Sequence, residues 1–328
     1  MSKKVIKIEN HKFVDAEVDD IKATGNDLLV EVKAVSINPA DARKVEHLKP
    51  NRPNIVGYDG LGKIIQMGSN VENFEVGDVV YYAGSNIRPG SFQERQLVDA
   101  RLVARVPQTL SIAQSVGFPL VSLTAYEILF EKFRFKAEKN ANKGKKILII
   151  NGAGGVGSVA SQLAKWAGLT VYATASPKNF EWLKSHGVDF PIDYHTDSDN
   201  SLQKLSDNSF DATVCFYDIS DYLSDLIRLT KPFGHIGTIV GVNRPIDITA
   251  LQRKSLSFDW ELMFTKSAEN YHMESQGEIL KKITDLIDSN QLKRIDTKTI
   301  VGINATGVNE ALKLLNTGHN VGKITLID

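Results

Sequence analysis

One turn constrains this chain more than any other stretch, Ile149-Ile150-Asn151-Gly152-Ala153-Gly154-Gly155-Val156-Gly157-Ser158. It carries G-x-G-x-x-G at Gly152, Gly154 and Gly157, with Gly155 and Val156 inside the repeat. The continuous apolar run 147–150 before it reads as a strand buried on both faces, and residues 156–167 after it read as a helix. A second strand is expected at 170–175. Each glycine then has a physical task. Gly152 permits the tight turn out of the strand, Gly154 lets a pyrophosphate approach the backbone, and Gly157 lets the helix pack closely on the strand. Free N–H groups and the helix dipole at that point favour phosphate charge. The turn therefore predicts a dinucleotide-binding unit.

The pattern continues beyond it. Residues 179–186 read as a helix closed by Gly187 and 222–230 as another, while 190–193, 211–216 and 235–240 read as strands. This alternation implies a parallel sheet with helices on both faces. The first ~120 residues have another texture, short alternating segments such as 27–35, 62–67 and 78–82 broken by glycine and proline. That predicts a β-rich unit. A helix over 122–130, with Ser122 as its N-cap, opens the second texture, and the basic stretch 138–146 reads as a solvated connector. Helices near 279–290 and 307–317 follow, then a strand, 323–327, that returns to the first domain. The fold class is α/β, a β-rich domain plus a doubly wound parallel-sheet domain.

Composition narrows the function classes. A length of 328 residues suits two domains, and 42% hydrophobic residues suffice for a core. Lysine and arginine total 39, matching 39 aspartates and glutamates, so no nucleic-acid partner is expected. The single cysteine, Cys215, excludes an intrachain disulfide and a multi-cysteine zinc cluster. The first ten residues lack the apolar run of a signal peptide, and no uninterrupted run of ~18 apolar residues predicts a membrane span. A cytoplasmic setting follows.

The end of the second strand tests the cofactor. A carboxylate there would bind the ribose 2′-OH of NAD, and this chain has Ala175-Ser176-Pro177-Lys178 instead. Ser176 offers a hydrogen bond and Lys178 a positive charge, unless Lys178 is simply an exposed lysine. NADPH is the expected cofactor.

In these residues the chain resembles the medium-chain dehydrogenase/reductase superfamily, and within it the quinone oxidoreductase or zinc-type alcohol dehydrogenase-like group. The likeness runs over nearly the whole length through 36–41, 55–60, 74–84, 119–125, the glycine turn, 253–258 and 321–324. It implies a GroES-like catalytic domain over 1–122, a Rossmann NADP-binding domain over 123–265, and a C-terminal segment, 266–328, that completes the first. The cleft between domains would hold nicotinamide and substrate. Thr124 would lie near the cofactor's phosphate or carboxamide and Tyr194 beside the adenosine ribose. Gly241 and Val242 would line the nicotinamide pocket, and Lys323 would approach the phosphates. Relatives are commonly oligomers, and a homodimer is expected.

The resemblance also implies a departure. Zinc enzymes of the superfamily place cysteine near Asn38, and histidine and glutamate where this chain has Tyr58 and Asp59. A catalytic zinc typically needs three such ligands. No metal is expected, and His47, His195 and His319 read as surface or loop residues. Without a Lewis acid, reduction of electron-poor acceptors is favoured, namely quinones and α,β-unsaturated carbonyls. Asn38 is a candidate for the substrate oxygen or a ribose hydroxyl, or is an Asn-Pro turn residue. Tyr58 is a hydrogen-bond donor to a carbonyl oxygen, or a packed tyrosine. Asp41 orients its neighbours or caps a helix starting at Ala42. Phe258, Trp260, Met263 and Phe264 wall a substrate pocket, or serve core or dimer contacts. The leading function is an NADPH-dependent quinone or enone reductase. The alternatives are a zinc-free reductase of one aldehyde or ketone, and a non-catalytic NADPH-binding redox-sensing module.

Overall fold

The computed structural model describes residues 2–49, 52–195 and 201–328. The chain divides into two compact units, Met1–Leu123 with Met263–Asp328, and Thr124–Leu262.

The first unit opens with the antiparallel hairpin β1 (Ser2–Glu9) and β2 (Lys12–Asp19). Asn10 and His11 make its turn, both at positive φ. There follow β3 (Asp27–Ser36), α1 (Pro39–Glu46), β4 (Asp59–Met67), β5 (Val79–Tyr82), β6 (Arg95–Asp99) and β7 (Val103–Arg105). Then α2 (Ile112–Ser115) and α3 (Pro119–Tyr126) lead to the second unit.

In the second unit β8 (Lys146–Ile150), α4 (Gly155–Trp166), β9 (Thr170–Ala175), α5 (Phe180–Ser185) and β10 (Phe190–Asp193) come first. After them stand β11 (Phe210–Cys215), α6 (Leu223–Leu229), β12 (Thr230–Thr238) and β13 (Ser257–Trp260). The six strands are parallel in the order β10-β9-β8-β11-β12-β13. The order reverses between β8 and β11, and ligands of such sheets bind outside the strand ends at that switch. Leu148, Ile150, Phe210, Leu226 and Ile236 pack one face of it.

The chain then re-enters the first unit through α7 (Phe264–Ala268), α8 (Glu274–Asp288), β14 (Asp296–Val301), α9 (Ala305–Asn316) and β15 (Lys323–Ile327). Its sheet runs β14-β15-β3-β4-β5-β7, with β6 also on β3. β15 and β6 share one edge of β3, pairing with 34–36 and 27–31 respectively. Val35, Ile37, Phe92, Val308 and Leu326 fill the core beside that edge.

Three local expectations shift. The helix expected from Ser122 begins at Pro119, whose fixed φ suits a first turn, so Ser122 lies inside it and caps nothing. It continues as a wider π-type turn over Glu127–Lys132. By length and composition Ile112–Lys132 is apolar enough to cross a membrane, but 72% of its most apolar window is buried in the protein, as in a core helix. The strand expected at 235–240 starts at Thr230, because a register shift between Phe210 and Ala212 opposite lets β12 bulge. Within that bulge Phe233 takes a left-handed φ of 61° and is 80% exposed.

Candidate functional site

In the second unit the glycine turn stands where the motif puts it, between β8 and α4. The left-handed residue that turns the chain is Asn151, with φ 66°, rather than Gly152. Gly152 is needed for another reason, since a Cβ there would lie 2.6 Å from the Ala173 Cβ of β9. A Cβ on Gly157 would come within 2.3 Å of the Asn151 carbonyl oxygen, so the close helix packing assigned to Gly157 is what the backbone shows. The Asn151 and Gly152 amides donate to the Thr174 hydroxyl (3.0 Å) and carbonyl (2.9 Å), and the Asn151 side chain donates to the Phe216 carbonyl (3.3 Å). Side chain and backbone together thus tie the turn to the ends of β9 and β11.

Gly154 is the N-cap of α4, and the first helical bond is Ser158 N–H to its carbonyl (2.9 Å). The amides of Gly155, Val156 and Gly157 precede that bond and have no acceptor within the helix. Such a bare amide cluster fits a dinucleotide pyrophosphate. At the end of β9, Ser176 is half-buried and accepts from the Asn179 amide (3.3 Å), while Lys178 is exposed. Tyr194 is exposed and stacks on His195 at 4.3 Å. Thr124 is buried on α3, Gly241 is exposed with open space at its Cα, and Val242 is half-buried.

The second unit also holds an acid pair that the sequence did not announce. Glu127 opens the π-type turn, and Glu261 follows β13, donating its amide to the Thr238 carbonyl at 2.9 Å. Both are buried. Burial, then a hydrogen bond from Glu127 and its charge, hold the Glu261 carboxyl far above the ordinary carboxylate range. Two carboxylates this close cannot both ionise, so the pair shares a proton.

In the first unit the residues between β3 and β4 form a closed polar node. Pro39 starts α1 three residues before the expected Ala42, and Asn38 is its N-cap. Asp41 sits at the third helical position and accepts from the Asn38 amide (2.9 Å) and the Gly57 amide (3.2 Å). It therefore orients the loops on both sides instead of capping a later helix. Burial pushes its carboxyl up to about 7; the Asn38 amide opposes this, the Asp59 charge adds to it, and Lys323 and the Gly57 amide oppose it.

Asp59, at the start of β4, spends both oxygens. Oδ1 accepts from the Leu120 amide (2.7 Å), and Oδ2 from the Ser36 hydroxyl (2.5 Å), the Asn38 amide (2.9 Å) and the Lys323 ammonium (3.1 Å). Lys323 Nζ also donates to Asn38 Oδ1 (2.6 Å) and Ile37 O (3.1 Å), and the residue is 3% exposed. All three of its protons are committed. Tyr58 lies beside this node, its ring 4.5 Å from that of Phe264. Its hydroxyl has no hydrogen-bond partner among the described residues, and burial, then the Asp41 charge, hold it firmly protonated. The aromatic stretch is divided, because Phe258 and Trp260 lie on β13 whereas Met263 and Phe264 belong to the first unit. His47, His195 and His319 are exposed.

Zinc does not fit this donor set. Of Asn38, Tyr58 and Asp59 only Asp59 is an anionic ligand, and its lone pairs face four donors, one of them a cation. Among the described residues no three histidine, cysteine, aspartate or glutamate side chains gather to hold a metal.

A β-rich unit completed by its own C-terminal strand, with a parallel dinucleotide-type sheet inserted, defines a medium-chain dehydrogenase/reductase, and the chain belongs to that superfamily. Residues 24–108 match the alcohol dehydrogenase GroES-like domain and 186–326 the zinc-binding dehydrogenase family. Its nearer kin are the zinc-type alcohol dehydrogenase-like proteins. One from Staphylococcus epidermidis is 36% identical over 97% of this chain and 95% of its own length. The chloroplastic NADPH-dependent alkenal/one oxidoreductase of Arabidopsis thaliana is 29% identical over 98% of this chain and 76% of that protein. The crystal structure of a putative zinc-dependent alcohol dehydrogenase from Rhizobium etli has 33% identity and a TM-score of 0.92, covering 100% of this chain and 98% of its own. The chain is an oxidoreductase of a pyridine-nucleotide-dependent family.

Proposed function

We propose that this enzyme reduces quinones or α,β-unsaturated carbonyls with NADPH and uses no metal. The observation that carries the reading is the closed Asn38–Asp59–Lys323 node beside an unpartnered Tyr58 hydroxyl. It replaces a zinc ligand shell with a neutralised carboxylate and leaves one hydrogen-bond donor open. Bound NADPH supplies hydride. The protein's part is to stabilise the negative charge that gathers on the acceptor's oxygen, which suits a protonated phenol. In this reading Tyr58 is catalytic, while Asn38 and Asp41 position it through the loop and α1. Lys323 serves as the counter-charge of Asp59. Thr124, Tyr194, Gly241 and Val242 are assigned to the nucleotide with the glycine turn.

The absence of a carboxylate at Ser176 and the charge of Lys178 support NADPH, as does the alkenal/one relative's name. A cytoplasmic homodimer completes the reading, and a monomer mass by light scattering at micromolar concentration would remove the dimer. The test of activity is nucleotide oxidation with 1,2-naphthoquinone, 9,10-phenanthrenequinone and an alkenal, using NADPH and NADH, with and without a chelator. Acceptor-dependent NADPH oxidation that ignores the chelator is expected. Activity abolished by chelation and restored by zinc would sink the proposal.

A further inference from the structure

The first unit has seven arginines, and five of them pair with carboxylates: Arg88 with Asp27, Arg95 with Asp20, Arg101 with Asp99, Arg105 with Asp78, and Arg294 with Asp296. Arg43 and Arg52 are the two with no acidic partner among the described residues. Both act electrostatically on Tyr58, where each favours the ionised phenol. Lys44 belongs to the same group. Its ammonium lies 6.0 Å from the Tyr58 ring centroid and, among the described residues, donates only to the Asn86 carbonyl, at 3.4 Å. It is half-buried, and no carboxylate lies within ion-pair distance of it among the described residues. Burial, then the like charge of Arg52, pull its pKa down, and Asp41 opposes them. Asp41 accepts from the Asn38 and Gly57 amides and forms no ion pair with Arg43, Lys44 or Arg52 among the described residues.

A half-buried ammonium with no counter-ion is an unfavourable arrangement for a free protein, and an incoming anion relieves it. Guanidinium groups bind carboxylates in a matched fork. The Tyr58–Phe264 ring pair beside Lys44 is apolar and largely buried, its two planes tilted by 47°. We propose that Lys44, with Arg52 and Arg43, selects acceptors that carry a carboxylate on an unsaturated, apolar body. This rests on the reductase reading above and names its substrate class: a conjugated carbonyl compound bearing a carboxylate, rather than a neutral quinone or alkenal.

The test compares trans-3-benzoylacrylate with its methyl ester, which share one enone and differ in charge. With NADPH, kcat/KM for the acid should exceed that for the ester about tenfold, and the advantage should shrink as salt is raised. Lys44→Met should cut the acid-to-ester ratio about tenfold, with Arg52→Gln acting in the same direction and Lys44→Arg preserving it. An ester reduced as well as the acid by the unaltered enzyme, or a ratio unmoved by Lys44→Met and Arg52→Gln, overturns the inference and leaves the reductase reading intact. Calorimetric titration with benzoylacrylate separates the reverse case. If neither compound is reduced but the acid binds, and Lys44→Met weakens that binding, the anion site stands and the enone arm of the reductase reading falls. If the acid neither reacts nor shows Lys44-dependent binding, both fall.

Discussion

Around Gly152 and Gly157 the second unit is shaped by missing atoms, because a Cβ at either would strike β9 or the turn itself. Around Asp59 the first unit is shaped by the atoms present, with four donors converging on one carboxylate. The two regions respond to change differently. A backbone cradle tolerates new side chains at its rim but no added bulk at its glycines. A buried ion pair tolerates joint replacement far better than loss of one member, since the desolvation of the survivor is then unopposed.

The sharpest way to break that contrast is Lys323→Met. It leaves Asp59 buried without its cation and should destabilise the protein by ~3–5 kcal/mol in denaturant unfolding. The double variant Lys323→Met with Asp59→Asn should recover much of this; no recovery would mean that the node is not held by charge. Gly157→Val comes next. Overpacking of this kind typically costs ~1–3 kcal/mol, and nucleotide binding should weaken together with the melting temperature. Ser176→Asp tests the rim. It should leave the fold unchanged and move the NADPH-to-NADH preference about tenfold toward NADH, ~1.4 kcal/mol, in kcat/KM; an unchanged ratio would take Ser176 out of the phosphate pocket. Phe233→Gly should stabilise by ~1 kcal/mol, because a left-handed, exposed phenylalanine is relieved by the residue that adopts that conformation freely.

The smallest effect concerns the acid pair. Glu261 has a raised folded-state pKa, so its contribution is fully present below about pH 4 and is lost as pH rises through neutrality into the alkaline range. Glu261→Gln should therefore flatten the fall of stability with pH above that point, and an identical slope for the variant and the unaltered protein would show that no proton is shared.

The same contrast explains what the sequence made legible. The turn at 151–157 could be read because its signal is a spacing of glycines, although its partners Thr174 and Phe216 lie far along the chain. The parallel sheet was legible for the same reason, in repeated apolar runs. The polar node was not, because Ser36 and Asp59 meet through the β3–β4 pairing and Lys323 joins them through the placement of β15 beside β3. Lys323 looked like a phosphate ligand to reasoning by resemblance, and its burial could not be read from one lysine in a strand. Glu127 and Glu261 are likewise separated by the whole parallel sheet in sequence. The start of α1 was misplaced because Asp41 resembles an N-cap when the Asn38–Pro39 step is read as a turn. The Phe233 bulge had no sequence signal, since a bulky residue argues against the conformation it adopts.

Asp59 and its ammonium partner are 264 positions apart. At ribosomal rates of ~5–20 residues per second, roughly 10–50 s separate the synthesis of the acid from that of its cation. Throughout that interval the nascent N-terminal sheet also lacks the strand that fills part of the free edge of β3. The inserted sheet, whose last strand ends at Trp260, is complete before Lys323 is made, so a growing chain would carry every strand of the second unit while the first still lacks one, and chaperones that shield open sheet edges would find their substrate in the older half of the polypeptide.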